Sequence, residues 1–270
     1  MKLYSELLEK TLHFPSYPQR IVSFNSAFTE TLWDLNCGSS VVGVSPYCSR
    51  YCDCEHIPLA GDYLQEDPEM LRKLNPDLIL MTTGIQLPFA RKLAAQGFPL
   101  YTLPLPASLG GVMENIVKVG GIVGKAQEAR NLVTQLLHIL QEQVHSPCEP
   151  RPRIYTELWF GQHPRRVGSM SFIHDILSYA GAEPIFGNEP WSYEPLDLEE
   201  TAKLRPNIFL GFYEPEFPVD FVSLANKRGW QFVPESKILV SCTTKGKNII
   251  HDGPSIGTTI RWLREHIQGS

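Results

Sequence analysis

The chain has 270 residues, of which 43% are hydrophobic and 20% charged. That balance supports one large or two ordinary folded domains and excludes a disordered chain. A net charge of −5 without a basic tract gives nucleic-acid binding no electrostatic footing, and six Cys are too few for a disulfide-built scaffold.

The N-terminal stretch MKLYSELLEKTLHFPSYPQR is charged and amphipathic. It lacks the apolar run and small-residue cleavage site of a signal peptide, and no later segment reaches membrane-span length. Two readings of compartment stay open: a cytoplasmic protein, favoured by the initiating Met, or a chain written without its leader. From Arg20 the pattern alternates. RIVSF (20–24) reads as a strand, NSAFTETLWDLN (25–36) as a helix capped by Asn25 or Ser26, and VVGVS (41–45) as a strand. An irregular stretch (46–67) precedes a helix over 68–75, strand DLILMTT (77–83), helix LPFARKLAAQG (87–97) and strand PLYTLP (99–104). Such alternation implies parallel βαβ units.

Residues 110–146 show long helical periodicity, with Gly120, Gly121 and Gly124 expected to break or kink its first part. PCEPRPR (147–153) reads as a linker. The α/β pattern then resumes with strand RIYTELWF (153–160), helix SMSFIHDILSYAG (169–181), a loop carrying VDFVSLANKRG, strand KILVSC (237–242) and a last helix over 254–267. The expected organisation is an N-terminal α/β lobe (1–109), a single linking helix (110–146) and a C-terminal α/β lobe (147–270).

One unit is written twice. EMLRKLNPDLIL (69–80) and EETAKLRPNIFL (199–210) share a frame in which Glu69 stands seven before Pro76 and Glu199 seven before Pro206. A period of 130 residues means duplication of lobes rather than a solenoid. A Glu in the first turn of a helix is favoured by the helix dipole wherever it occurs, and common descent of the two halves explains the shared offset.

PQRIVSFNSAFTETLWDLNCGSSVVGVS, EMLRKLNPDLILMTTG, the long helix and PWSYEPLDLEETAKLRPNIFL together resemble the helix-linked periplasmic binding proteins. These are the substrate-binding components of ABC importers for vitamin B12, iron–siderophore complexes and related metal chelates. The likeness runs from about Pro18 to the C-terminus. Within the class it is nearest to the vitamin B12 (cobalamin)-binding proteins, through GDYLQEDPEMLRKLNPDLIL and PWSYEPLDLEE. The resemblance implies two Rossmann-like α/β lobes joined by a single long helix, a ligand cleft between the lobes, small motion on binding, a monomer and no required cofactor. It also implies that Glu69 and Glu199 dock onto Arg-lined pockets of an ABC permease in the membrane.

In open α/β sheets, ligands bind beyond the carboxyl ends of the strands. That rule marks Asn25, Ser26 and Phe28, then Tyr47, then Thr83 and Gly84, then Trp159 and Phe160, and Tyr213. Tyr63, six before Glu69, and Trp191, in a Pro-Trp pair, match cleft positions of the B12-binding relatives, and so do His251 and Asp252. Flat aromatics suit a corrin macrocycle, although a single aromatic is more often core. His251 is expected to meet a metal centre or a carboxamide, or else to be a loop histidine beside an Asp cap.

Cys48, Cys52, Cys54 and His56 fall within nine positions. They are candidate ligands for Zn²⁺ or a softer metal, but their spacing matches neither a zinc knuckle nor a familiar iron–sulfur site. A disulfide or free thiols are the other readings. GGIVGKA (120–126) fails as a phosphate loop, with three residues between its glycines and Ala126 after Lys125. No nucleophile elbow, zincin helix or general acid–base constellation appears, so no enzyme is expected. The expected function is capture of a corrinoid or similar metal chelate for an ABC importer. The alternative is a cytoplasmic corrinoid- or metal-handling or sensing protein that uses the Cys48–His56 loop as its metal site.

Overall fold

The computed structural model describes residues 1–62, 65, 67–144, 150–159, 163–230 and 236–268. The chain forms two compact units, Met1–Pro106 with Gly110–Gln135, and Ala107–Leu109 with Leu136–Ser270.

The first unit opens with a hairpin of β1 (Lys2–Ser5) and β2 (Lys10–His13). Charged and apolar residues alternate through it, and Leu8 at its turn packs on the unit's core. Beyond the hairpin, Phe14 meets Tyr101 edge-on at 6.4 Å. Next come β3 (Ile21–Ser23), α1 (Ser26–Asp34), β4 (Val41–Val44), α2 (Pro68–Leu74), β5 (Leu78–Thr82), α3 (Leu87–Ala95) and β6 (Leu100–Leu103). The strands pair in parallel in the order β4-β3-β5-β6. β5 is buried along its whole length, as a central parallel strand requires. Val22, Phe24, Ile79, Met81, Leu71, Leu93 and Leu100 form the core on one side. Each such buried side chain contributes roughly 1.5–3 kcal/mol.

The segment expected as one linking helix is two: α4 (Leu109–Ile122) and α5 (Ala126–Val144). The cause is local. Gly124 takes φ +74°, a left-handed value open to glycine. The N–H of Lys125 returns to the carbonyl of Gly120 at 2.6 Å, and that of Gly124 to Gly121 at 3.4 Å. This pair of bonds ends α4 as a Schellman motif. A Cβ on Gly120 would collide with Ala129, so the same glycine lets α5 turn back closely. The boundary between the compact units falls inside α5, after Gln135, rather than at 109/110 and 146/147. Residues 145–149, where the expected helix ends and the linker begins, lie outside the described residues.

The second unit holds β7 (Arg153–Leu158), β8 (Arg165–Val167), α6 (Phe172–Tyr179), β9 (Glu183–Pro184), β10 (Tyr193–Pro195), α7 (Leu198–Ala202), β11 (Ile208–Phe212), α8 (Phe221–Lys227), β12 (Lys237–Ser241) and α9 (Ile256–Gln268). Its sheet runs β10-β8-β7-β11-β12, with β9 beside the start of β7. β7, β11 and β12 are parallel, while β8 is antiparallel to both β7 and β10. The β9-β7-β11-β12 succession repeats the β4-β3-β5-β6 order of the first unit. Its core is aromatic: Tyr155 stacks on Phe209 at 5.3 Å, and Trp230 meets both rings edge-on. Glu157 is fully buried within reach of this cluster. It accepts from Arg228 at 2.9 and 3.1 Å and from the Tyr155 hydroxyl at 2.8 Å. A buried charge kept this way is paired and hydrogen-bonded, which its desolvation demands.

Candidate functional site

The repeated unit is the same object in both halves of the chain. Asp67 caps α2 by accepting the N–H of Met70 at 2.9 Å, and Asp197 caps α7 by accepting that of Glu200 at 2.9 Å. Glu69 and Glu199 each follow two residues later, in the first turn and exposed. Their carboxylates complement the helix dipole there. At the strand that follows, Asp77 accepts the N–H groups of Gln19 and Arg20 at 2.8 and 2.9 Å, and Asn207 accepts that of Arg153 at 2.8 Å. Arg20 in turn donates to the carbonyls of Leu74 and Asn75 at the end of α2, and Arg153 to the carbonyl of Arg205 after α7. The register agrees too: Ile21 faces Leu78 across β3 and β5, as Ile154 faces Ile208 across β7 and β11.

In the first unit, β4, β3 and β5 are adjacent and parallel, so their carboxyl ends share one edge. That edge brings together Tyr47, Asn25, Ser26, Thr83 and Gly84. Gln86 knits it, accepting the N–H of Thr82 at 2.9 Å and donating to the carbonyl of Phe24 at 3.4 Å. Tyr47 is exposed, with the Arg50 guanidinium 5.0 Å from its ring centre. Several expected contacts are otherwise engaged. Asn25 Oδ1 accepts the N–H groups of Ala27 and Phe28 at 2.7 and 3.4 Å, so its side chain caps α1. Thr83 Oγ1 accepts the N–H of Leu105 at 2.8 Å. Phe28 is only 2% exposed and belongs to the core, not to the edge, because the inward face of α1 carries it. Tyr63 lies outside the described residues.

The cysteine loop is a packed structural element. Cys48, Cys52 and Cys54 are buried, while His56 is exposed. Cys48 Sγ lies 3.0 Å from Thr29 Oγ1 and 3.3 Å from Ser45 Oγ. Burial, with the nearby Cys48, Asp53 and Glu55, pushes the Cys54 thiol up to about 11. Among the described residues no three His, Cys, Asp or Glu side chains are gathered to hold a metal ion. The metal reading of Cys48, Cys52, Cys54 and His56 is therefore corrected: the four side chains are not gathered as a ligand set, burial holds the Cys48 and Cys54 thiols protonated, and His56 is exposed while the thiols are buried.

In the second unit, the carboxyl ends of β7 and β11 carry Trp159 and Tyr213. Trp159 has φ +47°, a left-handed value that is strained for a bulky residue and tends to be kept at functional positions. Its ring meets Phe212 edge-on at 6.5 Å, and Tyr213 contacts Phe221 at 6.2 Å. Phe160 lies outside the described residues. His251 is 5% exposed. The neighbouring Asp252 keeps Oδ2 shielded from solvent with no hydrogen-bond partner among the described residues. Burial raises the Asp252 carboxyl, partly countered by His251. Tyr193 is raised as well, by burial first and then by the charge of Asp252.

Sequence reasoning missed Tyr193, although a signal was available. Tyr193 stands six before Glu199, as Tyr63 stands six before Glu69. The full repeated frame is thus Tyr-x3-Asp-x-Glu-x3-Lys-Leu-x-Pro, from Tyr63 to Pro76 and from Tyr193 to Pro206. Trp191, expected at the ligand, is half-buried. It lies against Phe186 at 5.4 Å, with the Arg166 guanidinium 5.6 Å from its ring.

A family model described as periplasmic binding protein matches residues 21–250. A cobalamin-binding protein of Halobacterium salinarum is 24% identical over 200 residues, which is 72% of this chain and 53% of that protein. The chain thus spans about half the length of that relative. Among solved structures, the periplasmic vitamin B12-binding protein of Vibrio cholerae superposes with a TM-score of 0.71 at 17% identity, covering 94% of this chain and 98% of that one. A periplasmic heme-binding protein of Pseudomonas aeruginosa gives 0.75 at 21% identity, covering 94% of each. At such identities these two likenesses concern the fold. The matches are solute-binding proteins rather than enzymes, and binding proteins of this kind need no cofactor.

Proposed function

Because the chain belongs to the periplasmic binding protein family, we propose that it captures a corrinoid, or a similar flat metal chelate, and delivers it to an ABC permease. The observation that carries this reading is the duplicated frame. Each half of the chain places a tyrosine six residues before an exposed first-turn glutamate on an aspartate-capped helix. Relatives named for cobalamin and for vitamin B12 support the ligand class.

Trp159, Tyr193 and Tyr213 at the second unit's edge offer broad, stiff apolar contact to a macrocycle, and Tyr47 offers the same at the first unit's edge. Asp252, with a shielded and unpartnered oxygen, accepts from a polar N–H on the ligand's periphery. Ser26 and the backbone around Gly84 offer further polar contacts at the first unit's edge. Tyr63, Phe160, Trp191 and His251 remain proposed contributors. Glu69 and Glu199 serve the partner rather than the ligand, pairing with guanidinium groups of the permease. No bond is made or broken: binding is equilibrium capture.

Two measurements test this reading. Cobalamin added to purified protein should quench tryptophan fluorescence in a saturable way and perturb the visible spectrum of the corrin. In vesicles carrying the permease, Glu69→Ala with Glu199→Ala should weaken association at least tenfold, on the scale of losing two charge-assisted pairs, while cobalamin affinity stays within twofold. Unchanged association would remove the docking role.

A further inference from the structure

Arg166 stands at the centre of contacts that no ligand or docking role yet explains. It lies on β8, one position from the antiparallel partner of Leu158, and its side chain is only 10% exposed. Its guanidinium does three things at once. Nη1 pairs with the carboxylate of Glu200, the residue after Glu199 in the first turn of α7. Nε donates to the carbonyl of Pro195, at the end of β10, at 3.2 Å. The flat face lies over two rings, 4.8 Å from the centre of Phe186 and 5.6 Å from that of Trp191.

Trp191 is held from its other neighbours too. Its carbonyl accepts the N–H of Met170 at 3.1 Å, and its N–H donates to Glu189 at 2.9 Å. Gly168 lies so close that any Cβ there would overlap the Trp191 carbonyl and ring. The segment 191–200 is therefore fixed at its start by an indole in a fitted seat, in its middle through Pro195, and at its end through Glu200. Arg166 touches all three of these points. Tyr193 and Glu199 both lie within that segment.

We propose that Arg166 is a positioning residue that ties the ligand-facing part of segment 191–200 to the partner-facing first turn of α7, so that occupancy at Tyr193 and presentation of Glu199 are coupled. The inference rests on the corrinoid reading for what the two ends do, but the tie itself is a property of the free protein. Planarity and several donors in a fixed fork suit arginine to this task, because one guanidinium can stack on rings and bond two oxygens together. Coupling of this kind is reciprocal: a partner that engages Glu199 would alter ligand affinity by the factor with which ligand alters partner affinity.

The test begins without ligand. In protein labelled with 15N at tryptophan, Trp191→Phe identifies the Trp191 indole resonance among the five tryptophans. Glu200 is exposed, so Glu200→Gln removes the ion pair without burdening the fold. The tie predicts that Glu200→Gln shifts the Trp191 resonance and leaves the other four in place, while Glu199→Gln, one residue away, moves none. A Trp191 resonance unmoved by Glu200→Gln, or moved equally by Glu199→Gln, would overturn the proposal. A second arm measures cobalamin affinity. Glu200→Gln should weaken it about fivefold, the low end of usual coupling factors. Equal affinity in Glu200→Gln and the unsubstituted protein would overturn the coupling. If Tyr193→Ala leaves cobalamin affinity intact, the ligand reading of this face fails, and the resonance shift still decides whether Arg166 ties the segment.

Discussion

Asp252 sits in an environment that penalises its charge. One of its oxygens is shielded and has no hydrogen-bond partner among the described residues, and burial raises its pKa above the ordinary 3.8. A carboxyl with a raised folded-state value holds its proton more tightly folded than unfolded. The stability it contributes is therefore full at acid pH and is lost as pH climbs through the raised value. Asp252→Asn keeps the shape and removes the titration. It should melt above the unsubstituted protein at neutral pH, with the gap closing as pH falls towards about 3.8. Thermal melts across that range check this, and a gap independent of pH would contradict it. A ligand N–H bonded to the same oxygen would relieve the same penalty, which makes this position suited to recognition.

At the scale of elements, Gly124 decides how the central helices are built. Its left-handed φ and the pressing ring of Tyr17 leave no room for a side chain. Gly124→Ala should cost about 1–3 kcal/mol in urea unfolding, since both the backbone strain and the contact must be absorbed. A cost below about 0.5 kcal/mol would mean that α4 and α5 tolerate another junction. The sequence showed glycines that would break the helix, yet the periodicity of 110–146 argued for one rod. Periodicity reports which face is buried and is silent on whether the axis turns. The same limit explains the hairpin of β1 and β2, whose mixed charge reads as an amphipathic tail until Leu8 and Phe14 find the core. The short strands β8 and β10, at three residues each, lie below what pattern can resolve. By contrast β5 and β11, largely apolar and introduced by Pro, were legible, as was the placing of Glu69 in the first turn of its helix. Phe28 shows the limit at the site: helical spacing places it in α1 but cannot say which way α1 turns its ring.

For the whole molecule, the governing fact is duplication. Sheet order, strand register, helix caps and the Arg–Asp or Arg–Asn ties recur in the two units, while β8 and β10 are additions to the second. Those additions bring Arg166 and Tyr193, so the second unit carries a clamp on its repeated segment. The cysteine loop, the oddest stretch of the sequence, turns out to be packing: buried thiols, with Cys48 beside two hydroxyls and with Cys48 and Cys54 held protonated by burial. Family membership fixes the class of protein, and the proposal of a large flat ligand within it rests on the aromatic residues at the sheet edges. Isothermal titration calorimetry with cobalamin, run beside hemin on the same preparation, tests that claim most directly. The account predicts one cobalamin bound per chain at micromolar Kd or tighter, equivalent to about −8 kcal/mol or better, with affinity reduced at least tenfold by Trp159→Ala combined with Tyr193→Ala. Absence of saturable binding of either macrocycle at micromolar concentrations would contradict the flat-ligand claim, and tighter binding of hemin than of cobalamin would contradict its corrinoid form.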